Sequence, residues 1–400
     1  MESGELLASK RSLVLDLPPS CVQFSPADPE LFVVGTYNLE REEHDDASAS
    51  EEPTNKTQSR NGSLLVYKLQ NYDPILLQTT PQPSAVLDLR FHPTEEGIVA
   101  VASSTATLGI YQLESHSNAG PPLKELVVSQ LDDVEAGTLF LQCQWHPTKK
   151  NWIGVTTSAG KAHLLVLGTD WAITRVIDLD LDSSLEPWSI AFSSLKQLAD
   201  GSSCFSVYSG SDDSDLRYGS YTIVDEPSEM TDDDDENKPF IQLHSSRLAR
   251  KHMAGVTAIL PLSQMTPDGG RLVVTGSYDD HIRFFSVQDL DQTAGIPMVK
   301  LLVEEHLGGG VWRLDLVRVE ECASALKVLL LVSCMHAGAR ILEFSSLDGI
   351  AWNCAVLARF EEHKSMNYGS DFVRGDSRLL RCVSTSFYDR LLCVWEYEIS

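Results

Sequence analysis

The sequence predicts an all-β chain folded as a seven-bladed β-propeller closed by an N-terminal strand. Three observations carry the prediction. One hairpin is written twice, the strands recur in units of one kind along the chain, and the last unit lacks a strand that the N-terminus can supply. The repeated hairpin is Val274-Thr-Gly-Ser-Tyr-Asp-Asp-His-Ile-Arg-Phe-Phe-Ser286 and Val383-Ser-Thr-Ser-Phe-Tyr-Asp-Arg-Leu-Leu-Cys-Val-Trp-Glu396. Each has a β-branched strand, a tight turn holding an Asp (Asp279, Asp389), and an apolar strand ending in an aromatic, Phe285 or Trp395. A turn Asp that closes the hairpin and an aromatic that packs between blades are the marks of a WD-repeat blade.

Laid along the chain, this pattern gives units about 50–65 residues long, bounded by Gly, Pro, Ser and Asp. Residues 1–400 are read as a single ring, with blade 1 at 22–79, blade 2 at 85–131, blade 3 at 138–179 and blade 4 at 187–246. Blades 5, 6 and 7 follow at 252–305, 306–360 and 363–397. Phe24-Ser-Pro, Phe91-His-Pro and Trp145-His-Pro stand at one point of three units and mark the turn leaving the innermost strand. The seventh unit ends one strand short, and residues 12–17 (Ser-Leu-Val-Leu-Asp-Leu) belong to no other unit. Joining them to blade 7 removes the two sheet edges that an open ring leaves.

Composition narrows the function. At 400 residues and 42% apolar the chain can bury a large core. Its net charge of −26 argues against direct nucleic-acid binding, which needs a basic surface. Much of that charge sits in acidic inserts at 40–60 in blade 1 and 225–237 in blade 4, read as solvated loops or as an electrostatic lure for a basic partner. No apolar run reaches the roughly 18 residues of a membrane span, and the N-terminus lacks a signal-peptide pattern. The eight cysteines form no Cys-x-x-Cys pair, so buried reduced thiols, a cytoplasmic setting and no metal site are expected. A monomer needing no cofactor is the matching expectation.

Departures from the repeat locate the candidate site. His252 and His363 precede the inner strands of blades 5 and 7 and are expected to bond the turn Asp of their own blade, Asp279 and Asp389. In blade 6 the turn position is held by His336, so that pair cannot form and His306 and His336 are free for another use. Blade 6 also opens with Gly308-Gly-Gly-Val-Trp-Arg313. Its glycines are either a connector or a place where a ligand approaches the main chain. Trp312, Trp188 and Tyr368 all begin inner strands, as inter-blade packing or as an aromatic cage.

His252-Met-Ala-Gly-Val-Thr-Ala-Ile, Thr275-Gly-Ser-Tyr-Asp-Asp-His-Ile-Arg, Leu307-Gly-Gly-Gly-Val-Trp-Arg-Leu, Cys334-Met-His-Ala-Gly, His363-Lys-Ser-Met-Asn-Tyr-Gly-Ser-Asp and Ser384-Thr-Ser-Phe-Tyr-Asp occur in this order. Together they resemble the diphthine methyl ester hydrolase family, WD-repeat proteins of diphthamide biosynthesis, over residues 186–400. The resemblance implies hydrolysis of the methyl ester of methylated diphthine, a modified histidine of translation elongation factor 2. Ester hydrolysis needs a base and donors for an oxyanion. Here His336 is the first expectation for the base, Cys334 an alternative nucleophile, Asp371 an orienting carboxylate, and Arg313 or the Gly309 and Gly310 amides the oxyanion donors. The substrate's trimethylammonium makes Trp312, Tyr368 and Trp188 the cage residues. The alternative is a scaffold or adaptor that binds a protein without chemistry.

Overall fold

Seven sheets follow one another along the chain, each built mainly from antiparallel strands that are consecutive in sequence. The computed structural model describes residues 4–39, 59–115, 120–131, 134–198, 200–224, 239–248, 251–322, 325–374 and 378–399. The insert at 225–237 and nearly all of that at 40–60 lie outside the described residues. Strands are called a to d from the innermost outward. Strand a is Pro19–Phe24, Val86–Phe91, Phe140–Trp145, Pro187–Phe192, Val256–Met265, Arg313–Cys322 and Gly369–Phe372 in blades 1 to 7. Among the described residues no helix is long and apolar enough to cross a membrane.

The ring closes through its N-terminus, as the sequence predicts. Arg11–Val14 pairs antiparallel with Leu391–Glu398, setting Arg11 opposite Val394 and Val14 opposite Leu391. The pairing starts one residue earlier than expected. The Leu15 amide still bonds the Arg390 carbonyl, but Asp16 and Leu17 lie beyond the ladder. A second N-terminal strand, Glu5–Leu7, was not foreseen. It runs parallel to Asn353–Phe360 and adds a fifth strand to blade 6.

The repeated hairpins do the work their residue types suggest. Phe285 is buried against Tyr208, Tyr218 and Leu248 of blade 4, and Trp395 stacks on Phe360 of blade 6 at 5.2 Å. Each aromatic therefore locks a blade to the one before it. The turn Asp caps the blade entrance. Asp279 accepts the Met253 amide (2.8 Å) and the Arg283 guanidinium (3.0 Å), and Asp389 accepts the Lys364 amide (3.1 Å). Burial alone would raise the Asp279 carboxyl, but Arg283 and the Met253 and His281 amides hold it at about 2.

The histidine expectation needs correcting. His252 Nε2 bonds Thr275 Oγ1 and His363 Nε2 bonds Ser384 Oγ, both at 2.8 Å, rather than the turn carboxylates. The Asp is already taken by the amide that follows the histidine. In blade 7 Ser384 also accepts Trp395 Nε1 at 2.9 Å, so the histidine helps fix the inter-blade aromatic. The three Phe/Trp-x-Pro turns are capped the same way: His92 and His146 accept amides two and three residues on, and Ser25 accepts that of Asp28. All eight cysteines are free, and Cys322 is exposed, against the expectation of uniformly buried thiols.

Candidate functional site at the channel mouth

Where strand b ends, the next residue donates its amide back to the entrance of strand a in the same blade. Tyr37 bonds the Pro18 carbonyl (2.8 Å), Asp212 that of Glu186 (3.0 Å), Tyr278 that of Gly255 (2.9 Å) and Phe387 that of Met366 (2.9 Å). This bond fixes a rim position in six blades, held by Tyr37, Ser104, Ser158, Asp212, Tyr278 and Phe387, and Met335 is the residue after strand b in blade 6. Blades 2 and 3 offer hydroxyls, whereas blades 4 to 7 and blade 1 offer aromatic rings, a carboxylate and a thioether.

Trp188, Trp312 and Tyr368 meet this rim from the starts of their strands. Trp312 is central, with ring centroids 4.9 Å from Tyr368, 5.5 Å from Trp188 and 6.0 Å from Tyr278. Tyr368 continues edge-on to Phe387 at 5.4 Å, and Phe387 reaches Tyr37 at 6.0 Å. Trp188 Nε1 donates to Asp212 Oδ1 at 2.8 Å. The three aromatics expected to form a cage are thus in one contiguous group, joined by Tyr278, Phe387 and Asp212, which the sequence reading passed over.

Two glycines let the group close. A Cβ on Gly255 would lie 2.5 Å from Asp212 Oδ1 and 3.0 Å from Tyr278 Cδ2, and one on Gly310 would lie 2.7 Å from Met335 Sδ. Gly309 and Gly310 are buried, and what the structure assigns them is close packing against the blade 6 turn. The mouth is half dry and carries negative charge. Burial raises the Asp212 carboxyl, against the Trp188 bond, and Glu186 and Asp213 add to the rise. Burial likewise raises the Tyr278 and Tyr368 phenols, so both stay protonated at neutral pH. Aromatic faces beside carboxylates attract an organic cation, by about 0.5–2 kcal/mol per ring.

Other expected site residues stand elsewhere. Cys334 is wholly enclosed in the core shared by blades 5 and 6, and burial pushes its thiol up to about 12. A thiol of that kind is packing, not a nucleophile. Asp371 is 1% exposed, accepts the Phe24 amide (2.7 Å) and Arg374 (3.0 Å), and orients no histidine. Arg313 points into the channel, where its Nη2 bonds Asp88 of blade 2 at 2.9 Å and its Nη1 is buried without a hydrogen-bond partner among the described residues. Asp315 lies two residues further down, its carboxyl raised by burial and by Asp371. These ions line the channel below the mouth.

His336 is exposed in the blade 6 turn, and among the described residues it makes no hydrogen bond or ring contact. Its neighbour Met335, at φ 30°, accepts the Asn367 amide of blade 7 at 2.9 Å. The loss of a turn Asp is felt by Arg340, the counterpart of Arg283. It bonds the Ala337 carbonyl (2.7 Å) and Glu361 (2.9 Å) instead. His306 is not free either: it stands 3.7 Å from Asp280 and edge-on to His281.

A cavity of about 250 Å³ opens at the opposite end of the channel, lined by residues such as Gln144, Phe192 and Leu262, with Arg90 as its one ionisable side chain. It has no base to offer. The candidate site is the mouth.

No family model matches the chain. A diphthine methyltransferase of Schizosaccharomyces pombe is 26% identical over 385 residues, covering 95% of each chain. That of Saccharomyces cerevisiae is 26% identical over 419 residues, again covering 95% of each. The human protein of that name is 25% identical over 364 residues, 86% of this chain and 69% of its own. Among solved structures, Saccharomyces cerevisiae Sqt1 superposes over 100% of both chains with a TM-score of 0.55 at 12% identity, a likeness of fold. The chain is thus a WD-repeat propeller in fold, and along nearly its whole length, beyond the C-terminal half that carries the motifs, it is similar to proteins named diphthine methyltransferase.

Proposed function

We propose that this propeller hydrolyses the methyl ester of methylated diphthine on translation elongation factor 2. Water is the acceptor, methanol leaves, and the freed carboxylate is the group that a later ligase amidates. The observation supporting this reading best is the mouth itself: Trp188, Trp312, Tyr368 and Tyr278 around the Asp212 carboxylate. A trimethylammonium is a cation without a hydrogen-bond donor, so ring faces and nearby negative charge are what it can use. The elongation factor is the protein partner, met at this face of a monomer in the cytoplasm, and the reaction uses no organic cofactor.

The relatives' name speaks of methyl transfer, and a scaffold would need no chemistry, so the test must separate three outcomes. Purified protein is mixed with elongation factor 2 carrying methylated diphthine, and methanol is measured. In parallel, the unmethylated factor is supplied with S-adenosylmethionine and its methyl content followed. Methanol release with no gain of methyl groups is the expected result. A gain of methyl groups would replace hydrolysis by transfer. A stable complex with neither product, at enzyme equal to substrate, would leave a scaffold.

A further inference from the structure

We propose that Asp212 is the general base of this hydrolysis, set by Trp188 and working beside the neutral phenols of Tyr278 and Tyr368. The assignment rests on the reading that the mouth takes a methylated diphthine. In that side chain the trimethylammonium and the methyl ester are carried by the same carbon. Wherever the cation sits, the reacting carbonyl is next to it, so the base must stand among the rings.

A base has to lie within about 2.6–3.2 Å of the proton it takes, directly or through one water. His336 is exposed, with no hydrogen bond or ring contact among the described residues. The ionisable groups nearest Trp312 include the carboxylates of Asp212, Glu186 and Asp213, the last held by Arg217, and the phenols of Tyr278 and Tyr368. Both phenols keep their protons, which suits them to donate to a developing oxyanion. Asp212 is half-buried at the rim position of blade 4. Its Oδ1 accepts Trp188 Nε1, and among the described residues its Oδ2 accepts no hydrogen bond. Gly255, which has no Cβ, leaves room for this carboxylate beside Tyr278: a Cβ there would lie 2.5 Å from Asp212 Oδ1 and 3.0 Å from Tyr278 Cδ2.

The step balances. Asp212 takes a proton from water as the water oxygen bonds the ester carbonyl carbon, and the carbonyl electron pair moves onto oxygen against a tyrosine hydroxyl. The intermediate then collapses, the bond to the methoxy oxygen breaks, and Asp212 returns the proton to give methanol. The product acid ionises.

Asp212→Asn keeps an oxygen for Trp188 and removes the base. It is expected to lower kcat about 10²–10⁴-fold while KM rises no more than about tenfold, and Trp188→Phe, which keeps the carboxylate but frees it, to lower kcat less. Asp212→Ala is expected to regain methanol release when formate is added, a readout that a merely structural role would not give. An Asp212→Asn protein with the native near-ultraviolet circular dichroism and kcat within threefold of the parent overturns the assignment. So does an Asp212→Ala protein that folds and gains nothing from formate. A parent protein that releases no methanol overturns the hydrolase reading, whereas turnover surviving in Asp212→Asn overturns the base alone.

Discussion

Removing the central ring is the most informative change to the mouth. Trp312 meets Trp188, Tyr278 and Tyr368 at 5.5, 6.0 and 4.9 Å, so Trp312→Ala takes one face from the cation and the packing support from three others. A desolvated cation–ring contact is worth up to about 2 kcal/mol, an exposed one about 0.5–1. Trp312 is half-buried, which puts its own face near 1–2 kcal/mol, or about 5–30-fold in affinity at tenfold per 1.4 kcal/mol. Loosening of Trp188 and Tyr368 places the expected loss in the upper part of that range. The assay is titration of the methyl proton signal of tetramethylammonium by nuclear magnetic resonance, with neopentyl alcohol as a neutral probe of like shape. The parent should favour the cation, and Trp312→Ala should lose most of that preference. Equal binding of the two probes by the parent, or a variant that binds the cation as before, would refute the argument.

Gly255→Ala should disturb the same site from the main chain. Its Cβ would meet Asp212 Oδ1 at 2.5 Å and Asp212 Cα at 3.0 Å, so the carboxylate must move. A displacement near 1 Å costs about 10²-fold in a positioned reaction, and kcat/KM should fall by about 10–100-fold with the ring still folded by melting temperature. The buried histidines predict acid sensitivity. Burial lowers His252 to about 3 and His363 to about 4, whereas both titrate near 6.5 when unfolded. The unfolded chain therefore binds more protons below about pH 6.5, and stability present above that value is lost as pH falls toward 4 for His363 and 3 for His252. At pH 5 each histidine should cost about 2 kcal/mol. Thermal melts at pH 7 and 5 check this, and His363→Gln should flatten the dependence.

The ring was legible because a blade is a local object. Its hairpin turn, its capping Asp and its inter-blade aromatic all fall within about fifteen residues, and Phe285 and Trp395 are buried as their positions suggest. The closing strand was legible as the one spare β segment. Pairings through space were not. Asp88 meets Arg313 across the channel, 225 residues away along the chain, and nothing local to either announces the other. The base expectation followed the repeat to its most divergent turn and so reached His336. Divergence there reflects a histidine that leaves the turn unsupported, with Arg340 finding new partners. The signal that would have found Asp212 and Tyr278 was in the same repeat, at the residue after each strand b, where Tyr37, Asp212, Tyr278, Met335 and Phe387 stand out against Ser104 and Ser158.

Methanol release from elongation factor 2 bearing methylated diphthine tests the central claim most directly, because it reads the bond that is said to break. Run in water enriched in oxygen-18, catalytic amounts of the protein should free one methanol per factor, with the label in the new carboxylate. Label in the methanol would mean attack at the methyl carbon, and no methanol at stoichiometric protein would contradict the account.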